Sequence, residues 1–181
     1  MKQNPKDVEM LQENLEATIR NVQKSMDYNT SEFPLEFYSE KRRQGNLLCY
    51  SEQEPTWDNE QRSYFVETVI AGMPFPAVTV ALESKANGDD SFDTAEDDSV
   101  SVIVVEGYRR LISILEFLRF EQPLVTESLL PGMKGKTFNS LPNTRKRKLN
   151  RTSIRTVIMR DTRLMGKLSL VYRSLARGDI L

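Results

Sequence analysis

The chain of 181 residues is 39% hydrophobic and 28% charged, which is typical of a globular domain with a substantial core. It contains no histidine and one cysteine, Cys49, which excludes Ser-His-Asp and Cys-His nucleophile systems, histidine metal ligands and an intrachain disulfide. We therefore expect no cofactor and no metal. The lone cysteine, the polar start of the chain and the lack of a long apolar run predict a cytoplasmic protein without a signal peptide or a membrane span.

The formal net charge of −1 conceals a strong asymmetry between the two halves of the chain. Residues 1–98 carry 9 basic and 20 acidic residues, whereas residues 99–181 carry 16 basic and 6 acidic residues. A basic half favours a polyanionic partner such as a nucleic acid. Mutual neutralisation of the two halves within one fold is the alternative.

The N-terminal segment is predicted to be an amphipathic helix over residues 6–26. Its apolar residues recur at steps of three and four, namely Val8, Leu11, Leu15, Ile19, Val22 and Met26. Such a stripe either docks on the domain or pairs with a second copy in a homodimer. We treat residues 1–29 as a helical extension and residues 30–181 as the main domain.

The first half of the main domain alternates helical and strand patterns. We expect a short helix from Ser31 to Arg43, with Pro34 in its first turn, and then a strand over Leu47–Tyr50. A second helix is expected from Trp57 to Ala71, with Asp58 as its N-cap and with Tyr64, Phe65, Val69 and Ile70 turned inward. A strand over Ala77–Leu82 follows. Residues 83–98 carry seven acidic residues and predict a mobile surface loop.

Residues 101–118 contain the most informative motif. A β-branched run ends at Glu106-Gly107 and is followed by Tyr108-Arg109-Arg110 and an apolar run at helical spacing. This order predicts a buried strand, a tight glycine turn and a helix whose N-terminus and two arginines favour a phosphate group. Tyr108 offers either a surface on which a base stacks or a ring packed under the strand.

The C-terminal part carries the densest positive charge. A short helix is expected after Leu141-Pro142, then a strand over Thr152–Met159 and a final helix from Leu164 to about Ala176. The candidate nucleic-acid-binding residues are Tyr108, Arg109, Arg110, Lys134, Lys136, Arg145, Lys146, Arg147, Lys148, Arg151 and Arg155. A nuclear-localisation tract and an ordinary solvated helix face are the alternatives for the run at 145–148.

Several ordered segments of the chain resemble the ParB/sulfiredoxin-like superfamily, and within it the GmrSD-type N-terminal domain with a DGQQR signature. The matching pieces are Leu47 to Trp57, the Gly72-Met73-Pro74-Phe75-Pro76 turn, VIVVEGYRRLISIL, Phe138 to Pro142 with the basic helix and strand that follow, and Tyr172 to Gly178. The resemblance spans roughly residues 30–181. It implies an α+β fold, a small mixed sheet flanked by helices, here with the N-terminal helical extension.

The chain departs from the family at the residues that carry chemistry. DGQQR is replaced by EGYRR at residues 106–110, the family's Q-R pair falls on Glu52-Gln53, and the asparagine of the last helix is Ala176. The resemblance implies nucleotide hydrolysis or nuclease activity for members with intact motifs. Because catalytic groups must be placed accurately, the altered signature predicts no catalytic residue, with Glu106 as a vestigial candidate.

The leading hypothesis is a non-catalytic nucleic-acid-binding protein that favours RNA or single strands over duplex DNA and contacts no membrane. A variant nuclease or nucleotide hydrolase of the DGQQR type, acting in phage or defence biology, is one alternative. A protein-interaction module that acts through the N-terminal helix or the acidic loop is another.

Overall fold

The computed structural model describes residues 5–25, 28–50, 57–84, 100–120 and 122–159, together with residues 165, 166, 168, 169 and 171. In chain order the elements are α1 (Pro5–Ser25), β1 (Tyr28–Pro34), α2 (Leu35–Arg43), β2 (Leu47–Cys49), α3 (Asn59–Ala71), β3 (Val78–Ser84), β4 (Val100–Glu106), α4 (Tyr108–Phe120), α5 (Asn143–Asn150) and β5 (Ser153–Met159). A short 3₁₀ turn, Phe138–Ser140, precedes α5.

The strands form one mixed sheet in the order β1-β5-β3-β4-β2. Neighbours β1 and β5 are antiparallel, as are β3 and β4, whereas β5 and β3 run parallel, as do β4 and β2. The expected α+β class, with a small mixed sheet and flanking helices, is confirmed.

The main core lies between one face of this sheet and helices α2 to α5. Its buried side chains include Leu35, Tyr38, Val66, Val69, Val102, Leu111, Leu115, Leu149 and Ile154. A smaller cluster on the other face contains Ala81, Val105 and Met165. Both faces of the centre of the sheet are therefore covered, which agrees with the almost continuous burial of β4.

Helix α3 begins and ends where the sequence predicts. The Asp58 side chain accepts a hydrogen bond from the Gln61 amide, and the Gln61 side chain accepts one from the Asp58 amide. Gly72 ends the helix in the left-handed conformation, with φ of 77°. These caps fix the position of the buried face of α3 against α4.

The prediction of a helix from Ser31 to Arg43 is wrong in its first part. Residues 28–34 form β1, in which Ser31 lies opposite Thr156 of β5, and the helix begins only at Leu35. A proline favours extended backbone at the residue before it, so Phe33 is better suited to a strand than to a helical turn. The pairing partner is far away in the sequence, and a local pattern does not reveal it.

The prediction that Tyr64 of α3 points inward is also wrong. Tyr64 is 51% exposed, whereas the neighbouring Phe65 is 8% exposed and packs between Trp57 and Phe75. The buried positions of α3 instead include Ser63 and Glu67, which are polar residues that a hydrophobic pattern does not select.

Two predicted segments lie largely outside the described residues. Of the acidic loop predicted at 83–98, only Glu83 and Ser84 are described, and they belong to β3. Of the final helix, residues 165, 166, 168, 169 and 171 are helical, and Met165 and Ser169 are buried. Among the described residues, no helix combines the length and the apolar character needed to cross a membrane.

Candidate nucleic-acid interface

The EGYRR segment forms the predicted strand, glycine turn and helix. Strand β4 ends at Glu106, Gly107 has φ of 90°, and α4 begins at Tyr108. A Cβ at Gly107 would lie 3.1 Å from Arg110 Nη2 and 3.2 Å from Val78 Cγ2. Glycine is therefore required by both the positive φ and the close approach of these side chains.

Arg110 binds groups of its own domain. Its Nη2 donates to both carboxylate oxygens of Glu106 at 2.6 Å, and its Nη1 donates to the carbonyl of Pro76 at 2.5 Å. The side chain is 13% exposed. The guanidinium thus clamps the start of β3 to the β4–α4 turn, and this geometry does not favour the predicted role of Arg110 as a phosphate ligand.

The other two residues of the motif are partly enclosed. The Tyr108 side chain is half-buried and packs against the main core, which favours the packing alternative over a stacking surface. Arg109 is half-buried, and its backbone carbonyl accepts a hydrogen bond from the Ser113 hydroxyl. Glu106 has its charge balanced by Arg110, and the described residues contain no group of three or more Cys, Asp or Glu side chains arranged to hold a metal ion.

Helix α5 presents the basic run to solvent. Two leucines of the core fix the segment, Leu141 just before the helix and Leu149 in its last turn. Between and after them, five cations extend outward, and we call Arg145, Lys146, Arg147, Lys148 and Arg151 the α5 basic cluster. All five are exposed except Lys146, which is half-buried with its ammonium 5.9 Å from the centre of the Phe138 ring.

In the described part of the chain, the α5 basic cluster differs from the arginines of α2, α3 and α4 that form ion pairs. Within the described ranges, none of its five side chains has a carboxylate within 4.0 Å. By contrast, Arg42 and Arg62 share Glu116, and Arg110 pairs with Glu106. The cations of the α5 basic cluster are close in sequence and repel one another, and no described carboxylate neutralises them.

Two members of the cluster lie beside the C-terminal end of α3. Arg145 and Lys148 line a narrow crevice with Gly72 at the C-terminal end of α3. That end carries a partial negative charge, and the last turn of α3 has no basic residue of its own. Arg147 and Arg151 lie four residues apart on one side of α5. They do not line this crevice, and both side chains are exposed.

Lys134 and Lys136 lie on a loop that closes on itself. The Leu124 amide donates to the Lys136 carbonyl at 2.9 Å, and the Gly135 amide donates to the Leu124 carbonyl at 2.7 Å. Both lysine side chains are exposed. Lys136 is two residues before Phe138, and the Lys146 ammonium lies 5.9 Å from the centre of the Phe138 ring, so the chain passes from the loop to a residue in contact with α5.

The residue that organises this loop was missed by the sequence analysis. Glu67 is fully buried on α3, where it accepts hydrogen bonds from the Thr126 hydroxyl and from the Leu129 and Leu130 amides at 2.5, 2.8 and 3.0 Å. Burial alone would raise the pKa of this carboxyl, but those bonds and one from the Ser128 amide hold its pKa below its ordinary value. Its position among Val66 and Val69 was the only available signal.

Arg155 is separated from the α5 basic cluster by the sheet. On β5, Ile154 and Thr156 face the main core, and side chains alternate along a strand, so Arg155 projects from the opposite face. It is exposed and lies across from Glu32 of β1. The structure therefore places α5 against Phe138, two residues after Lys136, whereas Arg155 projects from the other face of the sheet.

A cavity of about 170 Å³ lies between α3, α4 and residues 122–125. Part of its polar lining is already paired, since Arg62 binds Glu116 and the Ser63 hydroxyl accepts the Val125 amide. Sites for small organic ligands are generally larger, about 300–1,000 Å³. The cavity therefore carries no argument for a bound metabolite.

Comparison with known proteins gives no relative: the chain matches no family model, no curated protein and no solved structure. The resemblance to the GmrSD-type domain thus stays a prediction from its motifs. Of those motifs, residues 51–56 and 172–178 lie outside the described part of the chain, whereas the EGYRR turn and the segment from Phe138 through β5 lie within it.

Proposed function

We propose that this protein binds nucleic acid without turning it over, and that it favours RNA or single strands over duplex DNA. The interface consists of the α5 basic cluster, extended by Lys134 and Lys136. The proposal is carried by one observation, namely five cations within residues 145–151 that lack a carboxylate partner among the described residues. A polyphosphate backbone supplies the missing charge, and release of its counterions favours binding without sequence choice.

Preference for single strands is supported by the shape of the α5 segment. The helix has eight residues and is held against the domain by Leu149, so it lies along the surface and does not project. Consecutive cations on a helix point in different directions, and a flexible strand reaches them by bending around the helix. A rigid duplex instead needs a longer element that enters a groove.

Binding should be measured by fluorescence anisotropy with labelled single-stranded RNA, single-stranded DNA and duplex DNA over a series of salt concentrations. If five phosphates are contacted on a single strand, log K should fall with log salt with a slope of about −3.5. Absence of binding at low salt, or an affinity that does not change with salt, would contradict the proposal.

A matched pair of variants locates the interface. Arg147→Gln with Arg151→Gln removes two charges from the outward side of α5, and Lys24→Gln with Arg155→Gln removes two charges from α1 and from the opposite face of the sheet. We expect the first pair to lower affinity about tenfold and to reduce the slope by about 1.4, since each lost phosphate contact removes about 0.7. Equal losses from both pairs would indicate a diffuse field and would remove α5 as the interface.

The proposed lack of nuclease and nucleotide-hydrolase activity is supported by the contacts of Glu106 and Arg110 in the EGYRR segment. The Glu106 carboxylate is bound by Arg110, and both terminal nitrogens of Arg110 donate to Glu106 or to the carbonyls of Pro76 and Ala77. A metal or a phosphate at these two residues would compete with this clamp. Incubation with plasmid, ATP and GTP in the presence of Mg²⁺ or Mn²⁺ tests the point, and turnover abolished by Glu106→Ala would restore the nuclease or hydrolase alternative.

The remaining parts of the proposal concern family, partner and location. The order of the motifs from Leu47 onward supports membership of the ParB/GmrSD-like group, and the altered EGYRR signature supports a member that lost activity. A homodimer through residues 6–26 is supported by the apolar stripe of α1. A single cysteine in the whole chain supports a cytoplasmic setting.

A further inference from the structure

Helix α1 carries apolar side chains that its own domain leaves in solvent. All residues from 12 to 24 are exposed, and among them Leu15, Ile19 and Val22 are 60%, 41% and 52% exposed. Their spacing places these three residues within about 60° of one another around the helix, and we call them the α1 stripe. Helices in proteins gain most of their stability from packing such a face, so a 21-residue helix with Leu15 and Ile19 exposed is expected to have a partner.

The charges of α1 argue against two kinds of partner. The helix carries Lys6, Arg20 and Lys24 against Asp7, Glu9, Glu13 and Glu16, a net charge of −1. Helices that lie on anionic membranes are rich in lysine and arginine on their polar face, and a nucleic acid would be repelled by the acidic N-terminal half. A second apolar helix is the occupant that remains.

We infer that α1 pairs with α1 of a second copy of this chain, in antiparallel orientation. The acidic residues all lie in the first part of the helix, at or before Glu16, and the basic residues Arg20 and Lys24 lie in the last part. Antiparallel pairing places the acidic part of each copy beside the basic part of the other. Parallel pairing would instead place two acidic parts side by side.

The residues beside the α1 stripe suit this contact. Gln12 and Gln23 lie on one side of it and Thr18 lies on the other, so uncharged side chains border the stripe. Glu16, further from the stripe, is bound by Arg20 of its own helix at 2.9 Å. No like-charge pair therefore directly opposes burial of Leu15 and Ile19, on which the inference rests.

The stripe also sets the register. Leu15 and Ile19 are symmetric about residue 17, so an antiparallel pair centred there puts residue 12 of one copy opposite residue 22 of the other, about one residue from Gln23. In an antiparallel pair the same sides of the two helices face each other, which brings Gln12 close to Gln23 of the second copy. In a parallel pair these two residues lie about 16 Å apart along the axis, since each residue rises 1.5 Å.

The mass of the full chain in solution tests the pairing. By light scattering after size-exclusion chromatography, the wild type at about 100 µM should show twice the 20.9 kDa of one chain. Leu15→Gln with Ile19→Gln should restore the mass of one chain, whereas the matched control Ala17→Gln with Asn21→Gln, on the opposite side of the same helix, should remain dimeric. A monomeric wild type, or a stripe variant that stays dimeric, would overturn the inference.

Disulfide formation tests the orientation. In a Cys49→Ala background, chains carrying Gln12→Cys and chains carrying Gln23→Cys, one of them lengthened by a tag, are mixed and oxidised. Antiparallel pairing should give mainly the mixed disulfide between the two lengths. Mainly tagged-with-tagged and untagged-with-untagged products would overturn the antiparallel orientation. The inference rests on the homodimer of the proposed function, and the cross-linking separates failure of the orientation from failure of the dimer. Neither experiment involves nucleic acid, so both failures are distinct from failure of the proposed binding.

Discussion

Replacement of Glu67 by glutamine should loosen the loop that carries Lys134 and Lys136. In the wild type, one carboxylate oxygen accepts the Thr126 hydroxyl and the other accepts the Leu129 and Leu130 amides. Glutamine has nearly the same volume but only one acceptor oxygen. If that oxygen keeps the Leu129 and Leu130 amides, the NH₂ group donates to the Thr126 hydroxyl oxygen, and the hydroxyl proton must turn away from position 67.

The cost follows from the burial of the site. A hydrogen bond to a charged group contributes about 1.5–3 kcal/mol, and a buried donor left unsatisfied costs about 1–3 kcal/mol. The Thr126 bond reverses its direction, the Thr126 proton needs another acceptor, and the two amide bonds lose their charge assistance. We therefore expect Glu67→Gln to lower the free energy of unfolding by about 2–4 kcal/mol, a large part of the 5–15 kcal/mol typical of a domain.

Urea denaturation followed by tryptophan fluorescence provides the measurement, because the single tryptophan, Trp57, packs against Phe65 of α3. The matched control is Glu60→Gln, which makes the same chemical change at an exposed position of the same helix. Only its interaction with the N-terminus of α3 is lost, so the control should cost less than about 1 kcal/mol. Equal costs at the two positions would show that the buried hydrogen bonds do not stabilise the loop.

The pH dependence gives the sharper test. The pKa of Glu67 in the folded protein lies below its ordinary value of 4.5, so the ionised carboxylate contributes stability above that pH and loses it as the pH falls through the lower folded pKa. The gap between wild type and Glu67→Gln should be full at pH 6–7 and should narrow below pH 4.5. A gap that stays constant down to pH 3.5 would refute the role assigned to the charge.

Three further substitutions probe the fold that supports the site. Gly107→Ala should lower the free energy of unfolding by about 1–3 kcal/mol, because its φ of 90° and the contacts of an added Cβ both oppose alanine; an unchanged midpoint in urea would contradict this. Arg110→Met should cost about 1–3 kcal/mol by leaving Glu106 and the Pro76 carbonyl without a partner, and thermal melts that match the wild type would argue against the clamp. Tyr38→Phe should lower the free energy of unfolding by about 1 kcal/mol, because the hydrogen bond to Thr156 is lost. Burial raises the pKa of Tyr38 to about 12, so a spectrophotometric titration of the variant should lack the tyrosine that ionises at this high pH.

Much of the fold follows from local sequence signals. Asp58 and Gln61 define the start of α3, Gly72 defines its end, and the run ending at Glu106-Gly107 defines β4 and its turn. Strand β1 was not predicted, because its pairing with β5 depends on residues distant in sequence and its own polar residues do not alternate clearly. Local propensity describes helices better than it describes strand partners.

For the candidate nucleic-acid interface, the sequence predicts which residues are basic but not where the fold places Arg110 and Arg155. The run at 145–148 and the lysines at 134 and 136 are recognisable as cations, and both groups face solvent as expected. Arg110 is held within its own domain because the carbonyls of the segment before β3 lie beside it. Arg155 faces away from α5 because the other side of β5 packs on the core. Neither fact has a local signature, and both require the register of the sheet.

The pairing of Tyr28 with Met159 brings together the two ends of the described sheet-forming chain. Met159 is 131 positions after Tyr28, so β1 cannot pair with β5 until that length of chain has been synthesised. At 5–20 residues per second, β1 remains without this partner for about 7–26 s during synthesis. Polar residues such as Asn29 and Thr30 then protect the nascent protein, since they make the waiting segment a poor seed for aggregation.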